Sequence, residues 1–112
     1  MTRRDFSRRL VLERVVRAPD GAGGFTETWE ALGTLWAEIR AGTGREAAGE
    51  EITLSSVAYR VFVRGAPVGS TARPEPGQRF REGQRVFAIQ AVAEADPAGR
   101  VLVCFSREEE PA

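Results

Sequence analysis

Two segments near the end of this chain are apolar on both faces, and they restrict its fold more than any other feature. Arg85 to Ala93 reads RVFAIQAVA and Arg100 to Arg107 reads RVLVCFSR. Val86, Ala88 and Val92 alternate with Phe87, Ile89 and Ala91; Val101, Val103 and Phe105 alternate with Leu102 and Cys104. A strand that is apolar on both faces must be covered on both. In a chain of 112 residues that cover comes from closure of a small barrel or from a neighbouring subunit. Asp96-Pro97-Ala98-Gly99 between the two segments is hairpin chemistry, because Pro presets φ and Gly accepts positive φ.

The remaining text reads as short strands. Ile52 to Arg64 has the cleanest alternation, with Val57, Tyr59, Val61 and Val63 on one face and Ala58, Arg60, Phe62 and Arg64 on the other. This predicts a half-buried antiparallel strand. Arg60 and Arg64 flank Phe62 on the outer face, where a solvated arginine pair is the default and stacking on Phe62 the alternative. Leu10 to Arg17 predicts a first strand, its alternation broken by adjacent Val15 and Val16; a bulge or two-sided burial would account for them. Pro19-Asp20-Gly21 predicts a turn, and Phe25 to Trp29 a returning strand. Leu32-Gly33 predicts a break and Thr34 to Arg40 a third strand. That strand sets Leu35, Ala37 and Ile39 against Trp36, Glu38 and Arg40, leaving Trp36 partly exposed.

Residues 65–77 predict an irregular Pro- and Gly-rich crossing, and Gln78 to Arg81 a short strand or turn. Ala41 to Glu51 (AGTGREAAGEE) is Gly-rich and charged with no strand period; loops this long in small domains are often functional. Residues 108–112 are expected to form a solvated, mobile acidic tail. The fold class is all-β: one domain over residues 1–112, a small barrel or sandwich of six to seven short antiparallel strands with one long loop.

Chemistry is scarce. The chain has no histidine and a single cysteine, which removes Ser-His and Cys-His catalysis, the usual zinc ligand sets and any internal disulfide. Cys104 lies in an apolar run and reads as a small buried hydrophobe. Glu27, Glu30 and Glu38 are too weakly patterned to be read as a carboxylate pair. Gly42-Thr43-Gly44-Arg45 lacks the Lys-Ser/Thr of a phosphate loop. No catalytic, cofactor or metal site is expected. No apolar run approaches the roughly 20 residues of a membrane helix, and no h-region follows the basic N-terminus, so the expected setting is the cytoplasm in which the chain is made. Sixteen arginines balance sixteen acids and lysine is absent. The neutral sum argues against a dedicated nucleic-acid binder. Arg3-Arg4 and Arg8-Arg9 could touch phosphate, but a solvated, mobile terminus is the expectation. The all-arginine choice fits a GC-rich codon bias and is also suited to protein contacts.

The ordered set Thr28-Trp29-Glu30, Leu35-Trp36-Ala37-Glu38-Ile39, Gly44-Arg45-Glu46, Tyr59 to Arg64, Val86 to Ile89 and Val101 to Cys104 resembles the head-closure (stopper, head–tail joining) proteins of siphophages, prophages and gene transfer agents. The chain departs from the family's pattern in having Ala58-Tyr59 where Thr-His is common, and in its longer Pro-rich crossing. The resemblance implies a β-barrel assembled as a ring, hexameric or dodecameric, between a portal–adaptor complex and the tail terminator or tail tube. Such a ring sits in a virion or phage-like particle and retains packaged DNA. It further implies that a loop reaching the lumen acts as a stopper, here Thr43, Gly44, Arg45, Glu46 and Gly49. Subunit or partner contacts are expected at Trp29, Trp36, Glu38, Arg60, Phe62 and Arg64, in part by edge pairing of strands. The alternative is an OB- or SH3-like nucleic-acid-binding barrel, for which strand aromatics and scattered arginines are the only support.

Overall fold

The computed structural model describes residues 4–42 and 56–109, with backbone alone at 56 and 57. Among the described residues there are six strands: β1 Arg8–Pro19, β2 Phe25–Ala41, β3 Ser56–Arg64, β4 Arg79–Glu82, β5 Arg85–Glu94 and β6 Val101–Glu109. All neighbours are antiparallel, and the order β1-β2-β3-β6-β5-β4 closes on itself as a barrel. Closure covers one face of the two-faced β5 and β6; on the other face of β6 Val103 is buried and Phe105 is exposed. Phe87, Ile89, Leu102 and Cys104 point into the core with Leu10, Leu12, Ala37, Val61, Val63 and Phe80. Burying each Leu, Val or Phe in such a core contributes about 1.5–3 kcal/mol. Tyr59 meets Phe87 edge-on at 5.4 Å, so the inward row expected for Tyr59, Val61 and Val63 is the row observed.

Leu32-Gly33 does not break the chain. β2 runs through it, because the register shift opposite Leu12 and Glu13 absorbs one extra residue: Leu12 pairs with Gly33 and Glu13 with Ala31. Leu32 is the bulged residue, and a bulge of this kind bends and twists its strand. Beyond it the two strands leave the barrel. β4 pairs with β1 only at Val11 to Glu13, and β3 pairs with β2 only at Ala37 to Ala41. Residues 14–19 and 25–30 therefore pair only with each other, and the part beyond the bulge projects as a two-stranded arm. Val15 and Val16 sit on opposite faces of this arm, so neither a local bulge nor two-sided burial explains them. A second shift, between Ile89 and Ala91, bends β5.

The closing seam between β1 and β4 has three residue pairs, Val11–Arg81, Leu12–Phe80 and Glu13–Arg79. Ion pairs reinforce it. Glu13 is buried and accepts from Arg79 Nε at 2.7 Å and Arg81 Nε at 2.9 Å. Arg8 Nε donates to Glu82 at 2.8 Å, with a second bond from Nη2. On the far side Arg85 grips Glu108 in the same two-pronged way, at 2.6 and 3.0 Å. Glu108 and Glu109 thus belong to β6 and not to a mobile tail. These forks match carboxylate geometry, which a lysine cannot do.

The crossing from β3 to β4 is tied down by Gly65 N to Arg100 O at 2.7 Å and Arg73 Nη1 to Ala66 O at 3.0 Å. A Cβ on Gly65 would stand 2.1 Å from the Gly99 carbonyl oxygen, so this close approach requires glycine.

Candidate partner interface

Residues 4–7 form a strap over the outer face of β2 and β3. The Asp5 amide donates to Glu38 Oε1 at 2.8 Å, and Arg4 Nη1 and Arg40 Nε both donate to Glu38 Oε2 at 2.9 Å. Burial alone would push the Glu38 carboxyl up; the Asp5 amide and the two arginines outweigh it and hold the group below its ordinary value. The Arg4 guanidinium carbon lies 3.7 Å from the Phe62 ring centroid, and that of Arg64 lies 4.8 Å from the Phe6 ring. The terminus from Arg4 onward is therefore bound, contrary to the mobile segment expected. Phe62, 5% exposed and opposite both Glu38 and Val103, is not available as a contact for a partner, because Arg4 covers it. Its place outside the barrel was read correctly; its cover was missed because the covering residues lie 58 positions earlier in the chain.

The arm carries the larger exposed apolar surface. Val15 pairs with Trp29, and Pro19 with Phe25, all on one face. Phe25 is 67% exposed. Trp29 is half-covered by Arg79, whose guanidinium carbon is 4.0 Å from the indole. That stacking seats the base of the arm on the barrel, since Arg79 also binds Glu13. Arg14–Glu30 and Arg17–Glu27 pair across the two strands, so the arm's charges are satisfied within it. Trp36 is 53% exposed, beside Arg9 in the register, on the outward face expected for it.

The barrel end away from the arm holds a cleft of about 210 Å³, lined in part by Gly42, Tyr59, Arg60 and Phe105. Arg60 Nε is buried there without a hydrogen-bond partner, and Phe105 is exposed. Gly42 N donates to Ala58 O at 2.8 Å, extending the β2–β3 ladder one bond beyond the Ala41–Tyr59 pair. Thr43, Gly44, Arg45, Glu46 and Gly49 lie outside the described residues. Among the described residues no group of three or more Cys, Asp or Glu is placed to hold a metal ion. Burial pushes the Cys104 thiol up to about 12, leaving it inert near neutrality.

The six sequence-derived contact residues thus fall into four places. Glu38, Phe62 and Arg64 lie under or beside the strap, Trp29 at the base of the arm, and Arg60 at the cleft; Trp36 stands exposed on β2. Val15, Phe25 and Phe105 were missed. Adjacent valines and a phenylalanine after Gly-Gly were the available signals, but they carry meaning only once the hairpin is seen to leave the barrel.

What this all-β chain with surface arms and straps is related to is decided by comparison. Residues 1–109 match the family of phage head completion proteins. The chain belongs to that family. This head completion protein is similar, at 55% identity and a TM-score of 0.80, to a chain in the structure of the virion of a native gene transfer agent particle, with 98% of this chain and 100% of that one covered. A Shigella flexneri 2a protein solved in solution shares the fold, with a TM-score of 0.68 at 24% identity over 96% of each chain. No curated protein matches.

Proposed function

We propose that this head completion protein is a structural connector of a phage-like particle, placed between head and tail. The observation that carries the reading is the 55% identity, along nearly the whole chain, with a chain of a gene transfer agent virion. Copies assemble as a ring against a portal or adaptor protein on the head side, and offer a surface to the tail terminator or tail tube on the other. The ring keeps packaged DNA from escaping. The physical features agree with a structural role: ionic groups are spent on inter-strand clamps, and the exposed aromatics Phe25, Trp29, Trp36 and Phe105 are of the kind that anchor protein contacts. The stopper role in that ring is assigned to Ala41 to Glu51, of which residues 43–51 lie outside the described residues.

Electron microscopy of particles from a strain lacking the gene tests the reading. Leaking or DNA-filled heads beside separate, complete tails are expected. Normally joined particles would remove the connector role. Deleting residues 43–49 is expected to leave the fold intact and the heads leaky.

A further inference from the structure

The arm has one basic edge and one acidic edge. In its β1 strand the charges are Arg14 and Arg17; in its β2 strand they are Glu27 and Glu30. No other described strand runs along either edge, since β4 meets β1 only at Val11 to Glu13 and β3 meets β2 only at Ala37 to Ala41. Ala41, at the end of β2 that leads to the undescribed residues 43–55, is roughly 36 Å from Glu30 along the strand at about 3.3 Å per residue. A segment of that length leaving and returning there reaches at most about 23 Å, short of the arm. Unpaired edges expose amide and carbonyl groups ready to receive another strand, and a two-stranded hairpin with no third element is only marginally stable in water.

The two edges fit each other. When two copies present their arms in the same direction, β1 of one arm runs antiparallel to β2 of the next. The register inside the arm, Arg14–Glu30, Val15–Trp29, Val16–Thr28 and Arg17–Glu27, can then be repeated between arms. Hydrogen bonding allows it, because a residue whose N–H and C=O point away from one antiparallel neighbour offers them to the other. The faces agree as well, since directly opposed residues share a face. Charge favours it: Arg14 and Arg17 bond Oε2 of Glu30 and of Glu27, which leaves Oε1 of each carboxylate for an arginine of the neighbouring arm. Val15 and Trp29, each 38% exposed, would gain cover from the same two residues of adjoining arms.

We infer that the β1 edge of one arm pairs with the β2 edge of the arm of a second copy, antiparallel and in the arm's own register, with Arg14 to Arg17 against Glu27 to Glu30. The ladder stops short of Pro19, which has no N–H to donate. The contact joins different surfaces of identical chains, and such a heterologous contact repeats around a ring when the rotation closes. Two strands at about 4.8 Å spacing give each arm roughly 10 Å of the ladder, against 23 Å for the narrowest extent of the chain. The arms therefore lie on the inner side of the ring, where copies come closest. This rests on the ring proposed above and names the strands that join its copies.

The test uses particles from cells that co-express two chains distinguished by a tag, one with Val16→Cys and the other with Thr28→Cys. These positions oppose each other in the arm, and the native Cys104 is buried, so with one new thiol per chain no link closes within a chain. After mild oxidation or treatment with a short bis-maleimide, gels are expected to show a covalent dimer holding one chain of each kind, which neither variant yields when expressed alone. Adding Arg17→Glu and Glu27→Arg together to the Val16→Cys chain keeps an ion pair within that arm but sets like charges across the seam. The dimer yield should then fall about fivefold. Monomer alone in particles that hold both chains, a yield unmoved by the charge exchange, or a product joining the arm to a different particle protein would overturn the arm–arm ladder and leave the connector reading standing. Absence of the parent protein from particles would overturn both.

Discussion

The guanidinium carbon of Arg4 lies 3.7 Å from the centre of the Phe62 ring, while the same side chain bonds Glu38. One residue thereby covers an apolar ring on β3 and neutralises a buried acid on β2. Arg4→Ala is expected to lower stability by about 1–2 kcal/mol, combining a partly desolvated cation–π contact with a charged hydrogen bond. Urea denaturation of the purified protein checks it. A variant as stable as the parent would mean that the strap contributes nothing to the fold.

Glu13 is buried between Arg79 and Arg81 at the three-pair seam that closes the barrel. Glu13→Ala leaves both arginines without their carboxylate. The expected loss is about 2–3 kcal/mol, below the figure for a wholly buried pair because Arg81 reaches solvent. Glu27→Ala, which removes an exposed pair on the arm, should cost at most about 1 kcal/mol. Equal losses for the two variants would mean that the seam is not a critical closure.

Stability should fall in acid. The carboxyls of Glu13, Glu38, Glu82 and Glu108 are all held below the ordinary value of 4.5. For Glu82 and Glu108 the leading cause is the arginine bond; for Glu13 and Glu38 burial pushes upward and the arginine and amide bonds outweigh it. With folded values depressed, the unfolded chain takes up protons first as pH drops. Their stabilisation is therefore fully present above about pH 4.5 and is lost as pH falls through the lower folded values. Urea midpoints measured from pH 7 to pH 3 should hold level and then decline, and Glu38→Gln should flatten the decline. A decline of unchanged slope in that variant would remove Glu38 from the acid response.

Gly65→Ala should destabilise by about 1–3 kcal/mol or more, since the new methyl group would collide with the Gly99 carbonyl at 2.1 Å and overpacking of this kind forces backbone movement. Thermal melts are the measurement; an unchanged midpoint would show that the crossing yields without cost.

Trp36 is over half exposed, so Trp36→Ala should change stability by no more than about 0.5 kcal/mol. If Trp36 anchors a neighbour or the tail, the same variant should sharply reduce joined particles counted by electron microscopy. Normal joining together with parental stability would exclude that role.

The all-β class, the hairpin of β5 with β6, the inward row of Tyr59, Val61 and Val63 and the exposure of Trp36 were legible in the sequence because strand alternation and turn residues are local signals. Local text could not tell Leu32-Gly33 as a bulge from Leu32-Gly33 as a break, because the difference lies in which residue of β1 stands opposite. Nor could it tell that Arg4 covers Phe62, that Glu108 pairs with Arg85, or that Phe25 and Phe105 are left bare at opposite ends. Those outcomes depend on distant residues meeting in space. Barrel closure and the departure of the β1–β2 arm from it decided which apolar side chains were buried and which stayed exposed.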